Sequence, residues 1–105
     1  MQGFAIVKVE AEREDIVAEF NSYMQRKEAS PSFVTEHEGY FRLHCDLSEA
    51  SSAAITAFGS FLQSSGYQII AMGSATTKEG EGGTAFSFSK NGTESHAVLS
   101  TTNVY

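Results

Sequence analysis

Residues 32–47 read SFVTEHEGYFRLHCDL, and the way they pair decides the fold. From Tyr40 onward the chain alternates, with Tyr40, Arg42, His44 and Asp46 on one side and Phe41, Leu43 and Cys45 on the other. A period of two residues is that of a half-buried strand. The segment 32–37 before it reads as a second strand, and Glu38-Gly39 suits a two-residue hairpin loop. That loop sets His37 opposite Tyr40, Thr35 opposite Arg42 and Val34 opposite Leu43. Val34, Phe41, Leu43, Cys45 and Leu47 then share the buried face, while Phe33, Tyr40, Arg42 and His44 share the other.

On the N-terminal side, FAIVKVEA (4–11) alternates Ala5, Val7 and Val9 against Phe4, Ile6 and Lys8. Both faces begin apolar, as in a central strand. Residues 13–28 switch to the helical period, with Ile16, Val17, Phe20, Tyr23 and Met24 on one stripe. Acids crowd the start (Glu12, Glu14, Asp15) and bases the end (Arg26, Lys27), which complements the helix dipole. Ala29-Ser30-Pro31 stops the helix, because proline cannot continue it.

On the C-terminal side, Ser48 reads as an N-cap for the helix EASSAAITAFGSFLQSS, which runs to Gly66 at the C′ position. Ala54, Ile55, Phe58, Phe61 and Leu62 form its apolar stripe. The interior Gly59 implies close packing against a neighbour. YQIIAM (67–72) is a strand. GSATTKEGEGG (73–83) has no period and reads as a flexible connection. Two alternating strands follow, joined by Asn91-Gly92, the strongest short hairpin signal. Pairing about it puts Phe86 and Phe88 on one face with Ala97 and Leu99.

The order is βαββαβ followed by a hairpin. It predicts one α+β domain over 1–105: a ferredoxin-like antiparallel sheet, two helices on one face, and a C-terminal β-hairpin that extends or folds over the sheet. The length of 105 residues suits one domain.

Chemistry is harder to find. The single Cys45 forbids an intramolecular disulfide and reads as a small buried hydrophobe. His37 and His44 share a face but stand about 13 Å apart along the strands, so they cannot share an ion; no metal or cofactor is expected. No G-x-S-x-G elbow occurs, and no serine has a histidine and an acid at a recognisable offset. KEGEGGT lacks the phosphate-loop pattern and carries two acids that repel phosphate. The chain is therefore not expected to be an enzyme. The N-terminus has no signal-peptide pattern and no run reaches the roughly 18 apolar residues of a membrane span, so a cytoplasmic protein without membrane contact is expected.

EGYFRLHC (38–45) resembles the RNP1 motif of the RNA-recognition motif family at Gly39, Tyr40 and Leu43. It departs at Glu38, where the family has a base, at Phe41, where it has a small residue, and at Arg42 and Cys45, where it has aromatics. A net charge of −6 also repels phosphate backbones, so the chain is not assigned to that family and single-stranded RNA binding is disfavoured. The preferred expectation is a protein-interaction module: a small acidic inhibitor, immunity protein or adaptor that meets a basic surface. Phe33, Tyr40, Arg42 and His44 form one candidate patch, since aromatics with arginine are common interface anchors. Glu12, Asp15 and Glu19, on one helical face opposite the apolar stripe, form a second, acidic one. The alternative is a ligand-binding regulatory domain that forms a homodimer through its sheet.

Overall fold

β1 (Gln2–Ala11) is the axis of the sheet, paired antiparallel to β3 on one side and to β6 on the other. The computed structural model describes residues 2–26, 33–37 and 39–104, and side chains within 3–26 and 39–104. The remaining elements are α1 (Glu14–Arg26), β2 (Phe33–His37), β3 (Tyr40–Asp46), a 3-10 turn (Leu47–Glu49), α2 (Ala50–Ser64), β4 (Gln68–Thr76), β5 (Gly82–Lys90) and β6 (Thr93–Val104). Among the described residues the fold is α+β, with two helices and a six-stranded antiparallel sheet in the order β2-β3-β1-β6-β5-β4.

The first half of the expected topology is present, because α1 carries the chain from β1 to β2 with β3 between them. The second half differs from the ferredoxin-like order. The place beside β1 belongs to β6, not β4, and the last hairpin is inserted into the sheet instead of appended to it. The reason lies in the match between strands. β6 pairs with β1 from Phe4 to Ala11 and with β5 from Gly83 to Lys90, and it offers Ala97 and Leu99 to the core. β4, β5 and β6 form a meander, so seating β6 on β1 sends β4 to the far edge.

One face of the sheet is buried under both helices. Ala5, Val7 and Val9 of β1, Phe41 and Leu43 of β3, and Phe86 and Phe88 of β5 meet Ile16, Phe20, Phe58, Phe61 and Leu62 of the helices. Phe20 lies 5.0 Å from Phe41, 5.1 Å from Phe58 and 5.3 Å from Phe61, centroid to centroid, so its ring ties the two helices to each other and to the sheet. Tilted and edge-on geometries prevail, as ring quadrupoles prefer. Cys45 packs at the margin of this core, and burial pushes its thiol up.

Local signals explain most boundaries. Gly66 has φ +84°; its N–H donates to the Gln63 carbonyl (3.2 Å) and that of Tyr67 to the Leu62 carbonyl (2.9 Å), a Schellman ending of α2. Asn91 (φ 53°) and Gly92 (φ 80°) both take the left-handed conformation of the two-residue hairpin turn. Three details depart from expectation. Asp46, not Ser48, is the cap: its carboxylate accepts from the Ser48 N–H (3.1 Å) and hydroxyl (2.9 Å), and a 3-10 turn precedes α2. The β2–β3 hairpin starts with His37 opposite Tyr40, but a bulge between Thr35 and His37 then slips the register. Phe33 is therefore opposite Leu43, and Val34 opposite Arg42. The third departure is the 73–83 segment, most of which is strand; only 77–81 is a turn, and it is tightly tied.

Candidate functional site

Alternation sends Phe4, Ile6, Lys8 and Glu10 of β1 to the face away from the helices. The register places Phe4 beside His44, Ile6 beside Arg42 and Lys8 beside Tyr40. The side chains interlock along this line. The Arg42 guanidinium lies 4.8 Å from the Phe4 ring centroid, and the His44 ring lies 5.7 Å from the same ring. Lys8 Nζ stands 5.6 Å from the Tyr40 ring. A cation over an aromatic face is held by the ring quadrupole, so these side chains are ordered before any partner arrives. His44 is exposed; Phe4, Ile6, Tyr40 and Arg42 are half-buried.

Tyr40, Arg42 and His44 thus share one face, as the sequence predicts. Phe33 lies outside the residues with described side chains; the bulge sets its backbone opposite Leu43, and Val34 takes the place opposite Arg42 that the two-residue loop gives to Thr35. Phe4 and Lys8 complete the patch from the neighbouring strand. Their outward side was readable in β1, but their adjacency to β3 required the sheet order.

Over one end of this face folds the 77–81 turn. Thr77 N–H donates to the Glu81 carbonyl (2.8 Å), Gly80 N–H to the Thr77 carbonyl (2.9 Å), and Glu81 N–H to Thr77 Oγ1 (3.1 Å). The turn is clamped to the sheet by charge. Lys8 Nζ contacts the Glu79 carboxylate and lies 3.8 Å from both Glu10 and Glu81; the Lys78 N–H donates to Glu10 Oε1 (3.1 Å). Thr102 Oγ1 donates to Glu81 Oε2 (3.2 Å). The bond to Glu79 raises the Lys8 ammonium, against desolvation, and the same bond lowers the Glu79 carboxyl.

Beside the turn, where β1 gives way to α1, opens a cleft of about 760 Å³. Val9, Ala11, Val17, Ala97 and Val98 supply its apolar lining, and Glu10, Glu12, Glu14, Tyr40, Lys78 and His96 its polar groups. Three carboxylates outnumber its two basic groups, Lys78 and His96, and give it an acidic character. His96 is held between two acids, Nδ1 at 2.6 Å from Glu12 Oε1 and Nε2 at 2.9 Å from Glu94 Oε2. These bonds, Glu12 first, raise its pKa, because the imidazolium donates to both.

The acidic stripe is divided. Glu12 precedes α1 and lines the cleft. Asp15 is engaged by Arg13, whose Nε and Nη2 lie 3.1 and 2.5 Å from its carboxylate oxygens, and this bond lowers the Asp15 carboxyl. Glu19 is half-buried near Tyr67, whose hydroxyl is pushed up by burial and then by the Glu19 charge. Glu10 and Glu14, rather than Asp15 and Glu19, accompany Glu12 in the cleft. Among the described residues no group of histidine, cysteine and acidic side chains is arranged to hold a metal ion. Nor is any helix of the described residues long and apolar enough to cross a membrane.

Compared with protein-family models, curated proteins and solved structures, the chain gives no match.

Proposed function

We propose that the chain is a non-enzymatic protein-interaction module whose contact surface is the helix-free face of its sheet. The observation that carries this reading is the interlocked line Phe4–Arg42–His44, continued by Lys8 and Tyr40. Two of these side chains are long and rich in rotamers, so ordering them in advance lowers the entropy lost on association. The acidic cleft lies beside this line and suits a lysine- or arginine-bearing segment of the partner. An inhibitor or immunity protein that covers a basic, nucleic-acid-facing surface is the concrete form that a charge of −6 favours.

The test is affinity capture from the host, followed by equilibrium binding of the purified pair. Arg42→Ala with His44→Ala is expected to weaken the complex by about 2 kcal/mol or more, as loss of an anchor does, while leaving the thermal midpoint nearly unchanged. Glu10→Gln with Glu14→Gln is expected to slow association and flatten its salt dependence. Undiminished binding by the Arg42/His44 variant would remove this face from the interaction. A second reading, a small-ligand domain, is favoured by the volume of the cleft, which lies in the range of ligand sites. It predicts a metabolite that raises the melting temperature of the wild type but not of a Tyr40→Ala variant.

A further inference from the structure

We infer that two copies of this chain associate through β4, pairing antiparallel about a two-fold axis near Met72 to give one continuous sheet. β4 is an edge strand that has β5 on one side and no strand among the described residues on the other. Nine residues from Gln68 to Thr76 present about 30 Å of backbone edge, a template for another strand. Natural edges are usually blunted by charge, proline or brevity. β2, at the opposite edge, is short, bulged and carries Glu36 and His37. β4 carries no charged residue and no proline, and its one irregularity, a bulge at Ile70, leaves Ala71–Thr76 regularly paired on β5. Among the described residues, Ile70 and Met72 are the large hydrophobic side chains that stand exposed, at 52% and 51%.

Charge distribution selects the occupant. Residues 50–77 contain no Asp, Glu, Lys, Arg or His, so α2 and β4 form a neutral block in a chain of net charge −6. Two copies meeting through most other surfaces bring like charges together. Through β4 and the adjoining flank of α2 they do not. The close approach of Gly59 to Ile69, 3.9 Å from a Cβ built there, keeps α2 against this edge.

The expected dimer is weak. About 30 Å of edge across a molecule 21 Å in its thinnest dimension gives a footprint of about 600 Å² per copy, at the low end for specific interfaces. Sedimentation velocity of the full chain across a wide concentration range is expected to show a monomer–dimer equilibrium. Met72→Lys, which sets two cations near the axis, is expected to raise the dimer Kd by about tenfold or more, with unchanged circular dichroism. Ala71→Glu gives a second variant should Met72→Lys fold poorly. Met72→Cys in a Cys45→Ser background is expected to oxidise to a covalent dimer, because facing residues of an antiparallel pair lie within disulfide reach. A monomer at every concentration, dimers insensitive to both charged variants, or open-ended assemblies would each overturn the proposal. Arg42→Ala with His44→Ala lies on the other surface, so its effect on partner capture is read separately.

Discussion

The two faces of the sheet use the same strands and opposite physics. The helix side is a packed array of phenylalanines, with Phe20, Phe41, Phe58, Phe61, Phe86 and Phe88 all essentially inaccessible. The other side joins aromatic rings to cations and carboxylates, and its order comes from contacts that remain half-wet. One face is held by area removed from water, the other by directed charge. The contrast separates what keeps this chain folded from what it has available for recognition.

The sharpest way to break the contrast is to remove one ring from each face. Phe58 touches Phe20, Phe61, Phe86 and Phe88, so Phe58→Ala is expected to cost about 3–5 kcal/mol in urea unfolding. Phe4→Ala removes a half-buried ring and is expected to cost about 1–2 kcal/mol. Equal losses would mean that the outer face is as much a core as the inner one. Next in size is a backbone test. A Cβ on Gly83 falls 2.2 Å from the Leu99 carbonyl oxygen, whereas one on Gly82 meets nothing within 4 Å. Gly83→Ala is therefore expected to cost about 1–3 kcal/mol and Gly82→Ala less than about 0.5 kcal/mol, measured by the same unfolding curves.

Legibility followed the same divide. Period-two and period-3.6 patterns identified nearly all of the helix-side core, because burial on one face imposes its period directly on the residues. Asn91-Gly92 fixed its hairpin, since both positions need positive φ. The strand order was not legible. Nothing local distinguishes β4 from β6 as the neighbour of β1; that choice depends on how well whole strands match. The 77–81 turn was misread for a related reason. Its glycines and acids look like a flexible connection, but Lys8, about seventy positions away in sequence, clamps it. The bulge that displaces Phe33 likewise leaves no mark in the residue pattern. Of the candidate site, Tyr40, Arg42 and His44 were readable as one face, while Phe4 and the cleft acids joined them only through tertiary pairing.

Two titrations sharpen the electrostatic side of the comparison, and their signs are opposite. Glu79 has its carboxyl lowered, first by the bond to Lys8. Its contribution is present above the ordinary carboxylate range and is lost as pH falls through the lowered value. Amide exchange at Lys78, Gly80 and Glu81 is expected to lose protection in that acid window. Glu79→Gln is expected to show the loosened turn already at neutral pH, with a small change in global stability because the pair is exposed.

His96 gives the smallest and most diagnostic effect. Its pKa is raised above the ordinary histidine value by Glu12 and then Glu94, so the folded state binds its proton more tightly than the unfolded chain does. The resulting stability is fully present below the unfolded value of 6.5, and it fades as pH rises through the raised one. The melting temperature is therefore expected to decline slightly above neutrality, and His96→Gln to flatten that decline. Both partners are exposed and salt screens them, so the slope should shrink as ionic strength increases. A slope that survives His96→Gln would place the pH sensitivity outside the cleft and leave its acids to act on a partner alone.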